Sequence, residues 1–348
     1  MKTVPLSLRS LRSSVLPSLL ALWLTSVWAC GGDQGPGPSP YSRDDVLRLN
    51  HVQAKGTHNS YHLEPDNPVD DSHRYSHASL EVQLSAQGVR QFELDLHYRE
   101  HEGFEVFHLP ILDERTSCQR FVECLAEVKS WSDANPWHLP ILIWLEPKDD
   151  VDILDETLLG FLDRYDELEA EILSVFPRPR VLTPDDVRGD HPDLPTALAA
   201  DGWPTLGALR GRVIFSLLDS GEHRDTYTAP APNLANRLMF VGASSPADPY
   251  AAMFKINNAQ QEAARVSDLV ADGFIITSNV DGASGDATEN ADKLAASLAS
   301  GMHYGSSDYP APVDGYDYWF ELSDGAPARC NPVYPAVACT AEDIEKLE

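Results

Sequence analysis

Residues 139–145 read LPILIWL, with no polar side chain on either face. A strand of that composition must be covered on both sides, as in a parallel sheet wrapped by helices. Other strand-like runs alternate with helical segments along the chain. Strands are expected at 51–57, 89–98, 105–108, 139–146 and 212–218, then at either 238–241 or 252–256, and at 273–277 and 303–306. Helices are expected at 79–87, 119–132, within the acidic stretch 153–176, at 258–271 and at 286–300. The Pro- and Asp-rich segment running on to Trp203 reads as a long connection. About eight such alternations fit an α/β fold, a (β/α)8 TIM barrel, whose catalytic groups sit at the carboxyl ends of the strands. No eighth helix is evident after Tyr309, the tail reads as loop, and there is no internal repeat.

Four strand ends carry polar groups that a buried strand normally avoids: KGTHNSYH (55–62), QFELDLHY (91–98), VFHLP (106–110) and ILIWLEPKDD (141–150). Side chains alternate along a strand, so Phe92, Leu94 and Leu96 share one face and Glu93, Asp95 and His97 the other. The two carboxylates then lie about 6–7 Å apart at the backbone. A half-wet antiparallel strand shows the same alternation; the neighbouring clusters give this one its meaning. The mouth of a barrel would gather His58, Asn59, Glu93, Asp95, His108, Glu146 and Lys148. Asn59, Glu93, Asp95 and Glu146 are hard oxygen donors, which suit Ca²⁺ completed by water and suit Zn²⁺ poorly. Without a cation the three carboxylates would repel one another and their pKa values would rise. His58 and His108 remain as proton carriers. A metal at a phosphoryl oxygen beside two histidines and a basic carboxylate points to phosphodiester cleavage. His62 and His97 read as rim or loop residues, and Trp131, Trp137 and Trp144 as core. The aromatic patch Tyr304, Tyr309, Tyr316, Tyr318 and Trp319 reads as packing of the tail over the barrel.

With 348 residues and 43% hydrophobic content, the chain suffices for one large domain or two ordinary ones. Its net charge of −28 argues against nucleic acid or a strongly anionic bilayer as an electrostatic partner. Residues 1–29 have a basic start and an apolar run short of the ~20 residues a membrane span needs, the pattern of a secretory signal. Val27-Trp28-Ala29-Cys30 followed by Gly31 resembles the lipobox of bacterial lipoproteins, which makes Cys30 the expected lipidation site. Residues 30–41 would then form a Gly/Pro tether, 42–310 the barrel and 311–348 a C-terminal extension packed on it. The expected location is the bacterial cell envelope, as an outer-membrane or surface lipoprotein, or secretion. Four cysteines remain, and in an exported chain an even number suggests disulfides. Of the three possible connectivities the local one, Cys118–Cys124 with Cys330–Cys339, is the natural choice. Residues six apart in a helix lie about 9 Å apart, so Cys118 should precede the helix that carries Cys124.

THNSY, FELDLHY, the histidine of VFHLP and the glutamate of IWLEPKDD together resemble the X half of the catalytic barrel of phosphoinositide-specific phospholipases C. The secreted, Ca²⁺-dependent bacterial branch is the more similar one. The stretch from Cys118 through WHLPILIWLEPKDD resembles its third helix and fourth strand, SGMHYGSSDYPAP its eighth strand, and RCNPVYPAVAC its C-terminal disulfide loop. The resemblance implies Ca²⁺ on Asn59, Glu93, Asp95 and Glu146, with His58 stabilising the phosphorane oxygens and His108 protonating the departing alkoxide. It further implies Glu93 or Glu146 as the base for the inositol 2-hydroxyl, which attacks phosphorus within the substrate. Diacylglycerol leaves, and a cyclic inositol phosphate forms that water can open. Lys148 shares the face of Glu146, within reach of a phosphate oxygen or of the carboxylates. Asp219 and Asp308, at later strand ends, are candidate ring-hydroxyl contacts, each weighed against a capping role. One departure stands out: where the branch is expected to carry arginines on its seventh strand, this chain has Thr277 and Asn279, with Asp281 kept. The implied partner is an inositol phospholipid at a membrane surface, met by a monomer.

Two rival readings compete. A glycerophosphodiester phosphodiesterase on the same barrel would carry HRG rather than HNS at the first strand. A non-catalytic ligand-binding surface lipoprotein would have no physical reason to keep His58, His108 and all four oxygen ligands together.

Overall fold

The computed structural model describes residues 39–149, 155–283, 285–322, 325–335, 337 and 339–346. The expected leader, Cys30 and the tether as far as residue 38 lie outside these residues. Strands follow in the order β1 (Val52–Thr57), β2 (Val89–Arg99), β3 (Gly103–Val106), β4 (Ile141–Pro147), β5 (Leu158–Leu159) and β6 (Val181–Leu182). Then come β7 (Val213–Leu217), β8 (Phe240–Val241), β9 (Met253–Lys255), β10 (Ile275–Asn279), β11 (Tyr304–Ser307) and β12 (Ala328–Cys330). The helices are α1 (Leu80–Ser85), α2 (Phe121–Ala134), α3 (Tyr165–Val175), α4 (Pro184–Arg188), α5 (Leu194–Ala200), α6 (Leu206–Leu209), α7 (Glu222–Thr228), α8 (Ala263–Ala271) and α9 (Ala287–Ala299).

Parallel pairing runs β8–β7–β4–β2–β1–β11–β10–β9. The ends of this path meet through a single parallel bridge between Gly242 and Met253, where the Ala243 amide donates to the Met253 carbonyl at 2.9 Å. These eight strands therefore close into the expected barrel, and β6 also pairs parallel with the first residues of β7. Residues 141–145 of β4 are fully buried, which is why both faces of that strand are apolar.

Several expected elements shift. Residues 105–108 do not form a barrel strand: β3 pairs antiparallel with the outer half of β2, Leu96 opposite Val106 and Arg99 opposite Gly103, and His108 lies in the loop beyond. The alternative at the sixth strand resolves as both, since β8 and β9 are each in the ring, so the count of eight survives. The Pro/Asp-rich connection is folded. Pro184 opens α4 behind a Thr183–Asp186 capping box, and Asp193 caps α5 by accepting from the Thr196 amide. Proline in the first turn and aspartate at the cap start helices as readily as they mark loops.

The tail also contributes a strand. β12 pairs antiparallel with β1, Val52 opposite Cys330 and Ala54 opposite Ala328, on the way to the Cys330–Cys339 disulfide. Tyr309, Tyr316 and Tyr318 meet one another in tilted and edge-to-face contacts, consistent with packing. Cys118 bonds to Cys124 from the loop before α2. Near its end the tail is fastened by Glu345. The buried Arg90 donates Nε to both Glu345 oxygens at 3.1 and 3.0 Å, lies 4.7 Å over Trp131, and gives Nη1 to the Leu84 and Val89 carbonyls. Glu345→Ala leaves a buried guanidinium without its carboxylate, and is expected to lower stability by about 3 kcal/mol. Urea unfolding measures this; a loss within the ~0.5 kcal/mol of an ordinary surface substitution would show that the latch is idle.

Candidate active site

The polar groups converge at the carboxyl ends of the barrel strands. The segment after β1 turns sharply because Asn59 adopts φ +40°, a conformation asparagine tolerates better than most residues. The turn is tied to β2 by the Ser60 amide on the Glu93 carbonyl (2.9 Å) and the Glu93 amide on Ser60 Oγ (2.8 Å). Register then sets Asp95 opposite Glu146 on the adjacent strand, with Glu93 two residues deeper. Oxygens of Glu93, Asp95 and Glu146 can all lie within 4.8 Å of one another. Asn59 lines the same cavity as Asp95, Glu146 and Lys148.

Two lysines offset part of this charge. Lys148 Nζ lies 2.6 Å from Glu146 and 3.1 Å from Asp95, and Lys255 Nζ lies 2.6 Å from Glu93. Burial opposes the charge on Glu93, but Lys255 and His58 outweigh it and hold its pKa below the ordinary value. Asp95 behaves differently: burial and the nearby charge of Glu146 push its pKa up to about 7, against the pull of Lys148. Asp95 is fully buried, and Lys148, which it shares with Glu146, is the ammonium group beside it at 3.1 Å. A buried carboxylate that shares its lysine with one neighbouring carboxylate and faces a second carboxylate and an asparagine fits a hard divalent cation such as Ca²⁺.

Both candidate histidines are oriented by aspartates. His58 Nδ1 is 2.8 Å from Asp308 Oδ1, and its Nε2 is 3.6 Å from Glu93. Burial disfavours the imidazolium of His58, yet Asp308 and Glu93 prevail and raise its pKa to about 9. His108 Nδ1 is 2.8 Å from Asp113 Oδ2. Burial works against ionisation of Asp113, but its hydrogen bonds to His108 and His62 keep it well below the usual carboxylate range.

Some expectations change here. Asp308, expected at a ring hydroxyl, has one oxygen on His58 and the other on the Ala283 amide. Asp219 lines the cavity but caps α7, its Oδ2 accepting from the Gly221 and Arg224 amides. His62 and His97 are buried rather than on the rim: His62 reaches Asp113, and His97 stacks on Phe107 at 3.8 Å, bracing the loop that carries His108. Thr277 accepts from the Trp144 indole inside the barrel, while Asn279 lines the mouth.

Sequence reasoning missed Lys255 and Asp113. Lys255 was legible as the polar end of the apolar run AAMFK, had that run been chosen as a strand. Asp113 had no comparable signal, because four loop residues separate it from His108.

The family model described as phosphoinositide phospholipase C, Ca²⁺-dependent, matches residues 47–102 and 97–332. Among solved structures, the calcium-dependent phosphoinositol-specific phospholipase C from a Gram-negative Pseudomonas sp., in its myoinositol complex, is 19% identical with a TM-score of 0.58, covering 82% of this chain and 96% of that one. A second crystal form of that Pseudomonas protein gives 18% identity and a TM-score of 0.59 over 84% and 98% of the two chains. The Ca²⁺-dependent phosphatidylinositol-specific phospholipase C from Streptomyces antibioticus gives 20% and 0.56 over 76% and 96%. At such identities the likeness to solved structures speaks for the fold. No curated protein sequence matches significantly.

Proposed function

Because this chain belongs to the family of Ca²⁺-dependent phosphoinositide phospholipases C, we propose that it cleaves phosphatidylinositol-type lipids to diacylglycerol and a cyclic inositol phosphate. The observation that carries this reading is the junction, at one barrel mouth, of three converging carboxylates with two histidine–aspartate pairs. Asn59, Glu93, Asp95 and Glu146 would hold the calcium ion, which when bound supplies positive charge beside a phosphoryl oxygen and the attacking hydroxyl.

The chain's own groups then divide the proton traffic. Glu93 is buried and held by two cationic groups, Lys255 and His58, so its carboxylate is a poorer base than Glu146, which faces Lys148 alone. Glu146, a third exposed at its side chain, takes the proton of the inositol 2-hydroxyl. That oxygen forms a bond to phosphorus while His58, cationic through Asp308, faces the charge gathering on the phosphoryl oxygens. The bond from phosphorus to the diacylglycerol oxygen breaks, and His108 gives that oxygen a proton, Asp113 stabilising the ring's charge and orientation. Lys148 and Lys255 are already engaged with carboxylates. With Thr277 and Asn279 where arginines were expected, the mouth favours an inositol ring without extra phosphates.

The test uses vesicles of phosphatidylinositol, its 4,5-bisphosphate or phosphatidylcholine, each with Ca²⁺ or chelator. Diacylglycerol release is expected from phosphatidylinositol with Ca²⁺ alone. Turnover that ignores the chelator sinks the metal assignment, and inertness toward both inositol lipids sinks the substrate assignment.

A further inference from the structure

Two tyrosine hydroxyls are buried against the oxygen cluster. Tyr61, which ends the THNSY turn, is 0% exposed and packs in the apolar core, yet carries a polar tip. That hydroxyl faces Asp95, with Glu146 the next carboxylate to reach it, and no other described residue bonds to it. The hydroxyl of Tyr75, a residue 7% exposed, faces Asn59 and likewise has no other bonding partner among the described residues. Each tyrosine thus ends on one of the residues that would hold the calcium ion.

Packing alone calls for neither oxygen. Phenylalanine fills the same space, and a buried hydroxyl without a firm partner is a net loss to the fold. The needs of the two ligands account for both. Asp95 has Lys148 at 3.1 Å, but that ammonium also serves Glu146 at 2.6 Å. When one Asp95 oxygen is given to an ion, the other needs a donor of its own, and the phenolic O–H of Tyr61 is one. Asn59 has the complementary need. A cation attracts its carbonyl oxygen and repels its amide N–H groups, which must then turn toward an acceptor. The Tyr75 oxygen offers lone pairs for them. Partners of this kind, one layer out from the ion, orient the groups that bind it.

The Tyr75 ring is itself fixed. It stacks on His62 at 4.4 Å and meets His77 edge-on at 5.2 Å. His62 Nδ1 lies 3.0 Å from the Tyr75 carbonyl, and His77 Nε2 lies 2.8 Å from that of His58. Both hydroxyls are therefore preorganised, Tyr61 by the core and Tyr75 by its ring neighbours.

We propose that Tyr61 and Tyr75 are positioning residues, which hold Asp95 and Asn59 in the orientations that bind Ca²⁺. The proposal rests on the reading of those two residues as calcium ligands. Neither tyrosine touches the ion or the substrate in this arrangement; each acts through the ligand it faces.

Calcium binding to the full-length protein is measured by calorimetry for wild type, Tyr61→Phe and Tyr75→Phe, with melting temperatures taken in Ca²⁺ and in chelator. Each variant keeps its ring and packing, and is expected to bind Ca²⁺ at least ~10-fold more weakly. Melting in chelator should be unchanged or raised, because the hydroxyl is removed along with its burial cost. The rise in melting temperature that Ca²⁺ gives should shrink in both variants. A hydroxyl with a merely structural role would lower both melting temperatures alike and leave affinity untouched. Affinity unchanged in either variant, or equal melting losses in Ca²⁺ and in chelator, overturns the role of that tyrosine. Wild-type protein that binds no Ca²⁺ overturns the ligand assignment and this proposal with it, whereas wild-type binding beside unchanged variants overturns the tyrosines alone.

Discussion

His108→Ala is expected to reduce turnover of phosphatidylinositol about 10³-fold, within the range of 10²–10⁴ that general acid catalysis contributes. The loss should fall on the leaving-group step. Diacylglycerol departs as an alkoxide, and an alkoxide without a proton donor is a poor leaving group in water. An inositol phosphodiester whose leaving group is a stable phenolate needs no such proton, so the variant should recover most of the wild-type rate on it. Asp113→Asn keeps His108 in place but cannot stabilise its imidazolium, and a smaller loss is expected with the same recovery. Equal losses on both substrates would show that His108 positions the substrate and does not protonate it. The ring is oriented from several sides, by Asp113 on Nδ1 and by His97 stacked on Phe107 under its loop. Collapse of the site on truncation is therefore checked by near-UV circular dichroism.

What the sequence made legible follows strand parity. Glu93 and Asp95 on one face of β2, and Glu146 at the end of the apolar β4, were readable because a two-residue period and a both-sides-buried run fix where side chains point. His58 and Asn59 came with the strand end before them. His108 was chosen for its chemistry, although the strand assigned to it proved to be half of a hairpin on β2. Alternation cannot tell a barrel strand from an antiparallel neighbour of similar length. Contacts made through long loops stayed hidden: Asp308 on His58, 250 residues apart, and Lys255 on Glu93, 162 apart. Nothing local in the sequence marks such pairs. The tail's strand β12 was masked likewise, since its three residues become a strand only because β1 offers an edge to pair with. What could be read locally was therefore the set of strand-borne candidate ligands, and the aspartates beside the histidines had to be seen in three dimensions.

Those ligands carry a cost that a single substitution exposes. Asp95 is buried, has Lys148 at 3.1 Å beside one oxygen, and still has its pKa raised to about 7 by burial and by Glu146. A carboxyl whose folded pKa lies above its unfolded value of about 4 favours folding fully below that value. This contribution is lost as pH rises through about 7. Calcium-free protein should therefore lose stability between about pH 4 and 7, and Ca²⁺ should restore it by binding the folded state alone. Asp95→Asn keeps the shape and removes the charge. It is expected to raise the melting temperature of the calcium-free protein at pH 7 by at least ~2–4 °C, the equivalent of about 1 kcal/mol in a chain of this size. It should also erase most of the stabilisation that Ca²⁺ gives. Turnover should fall by about 10²–10³, because under the proposed mechanism the several kilocalories that a bound metal would contribute at the phosphoryl oxygen depend on Asp95. A variant both inactive and more stable is the signature of a residue kept for its ion against the interest of the fold. If Asp95→Asn instead lowers the melting temperature in chelator, Lys148 is already a sufficient partner for Asp95 and the calcium assignment of this residue fails.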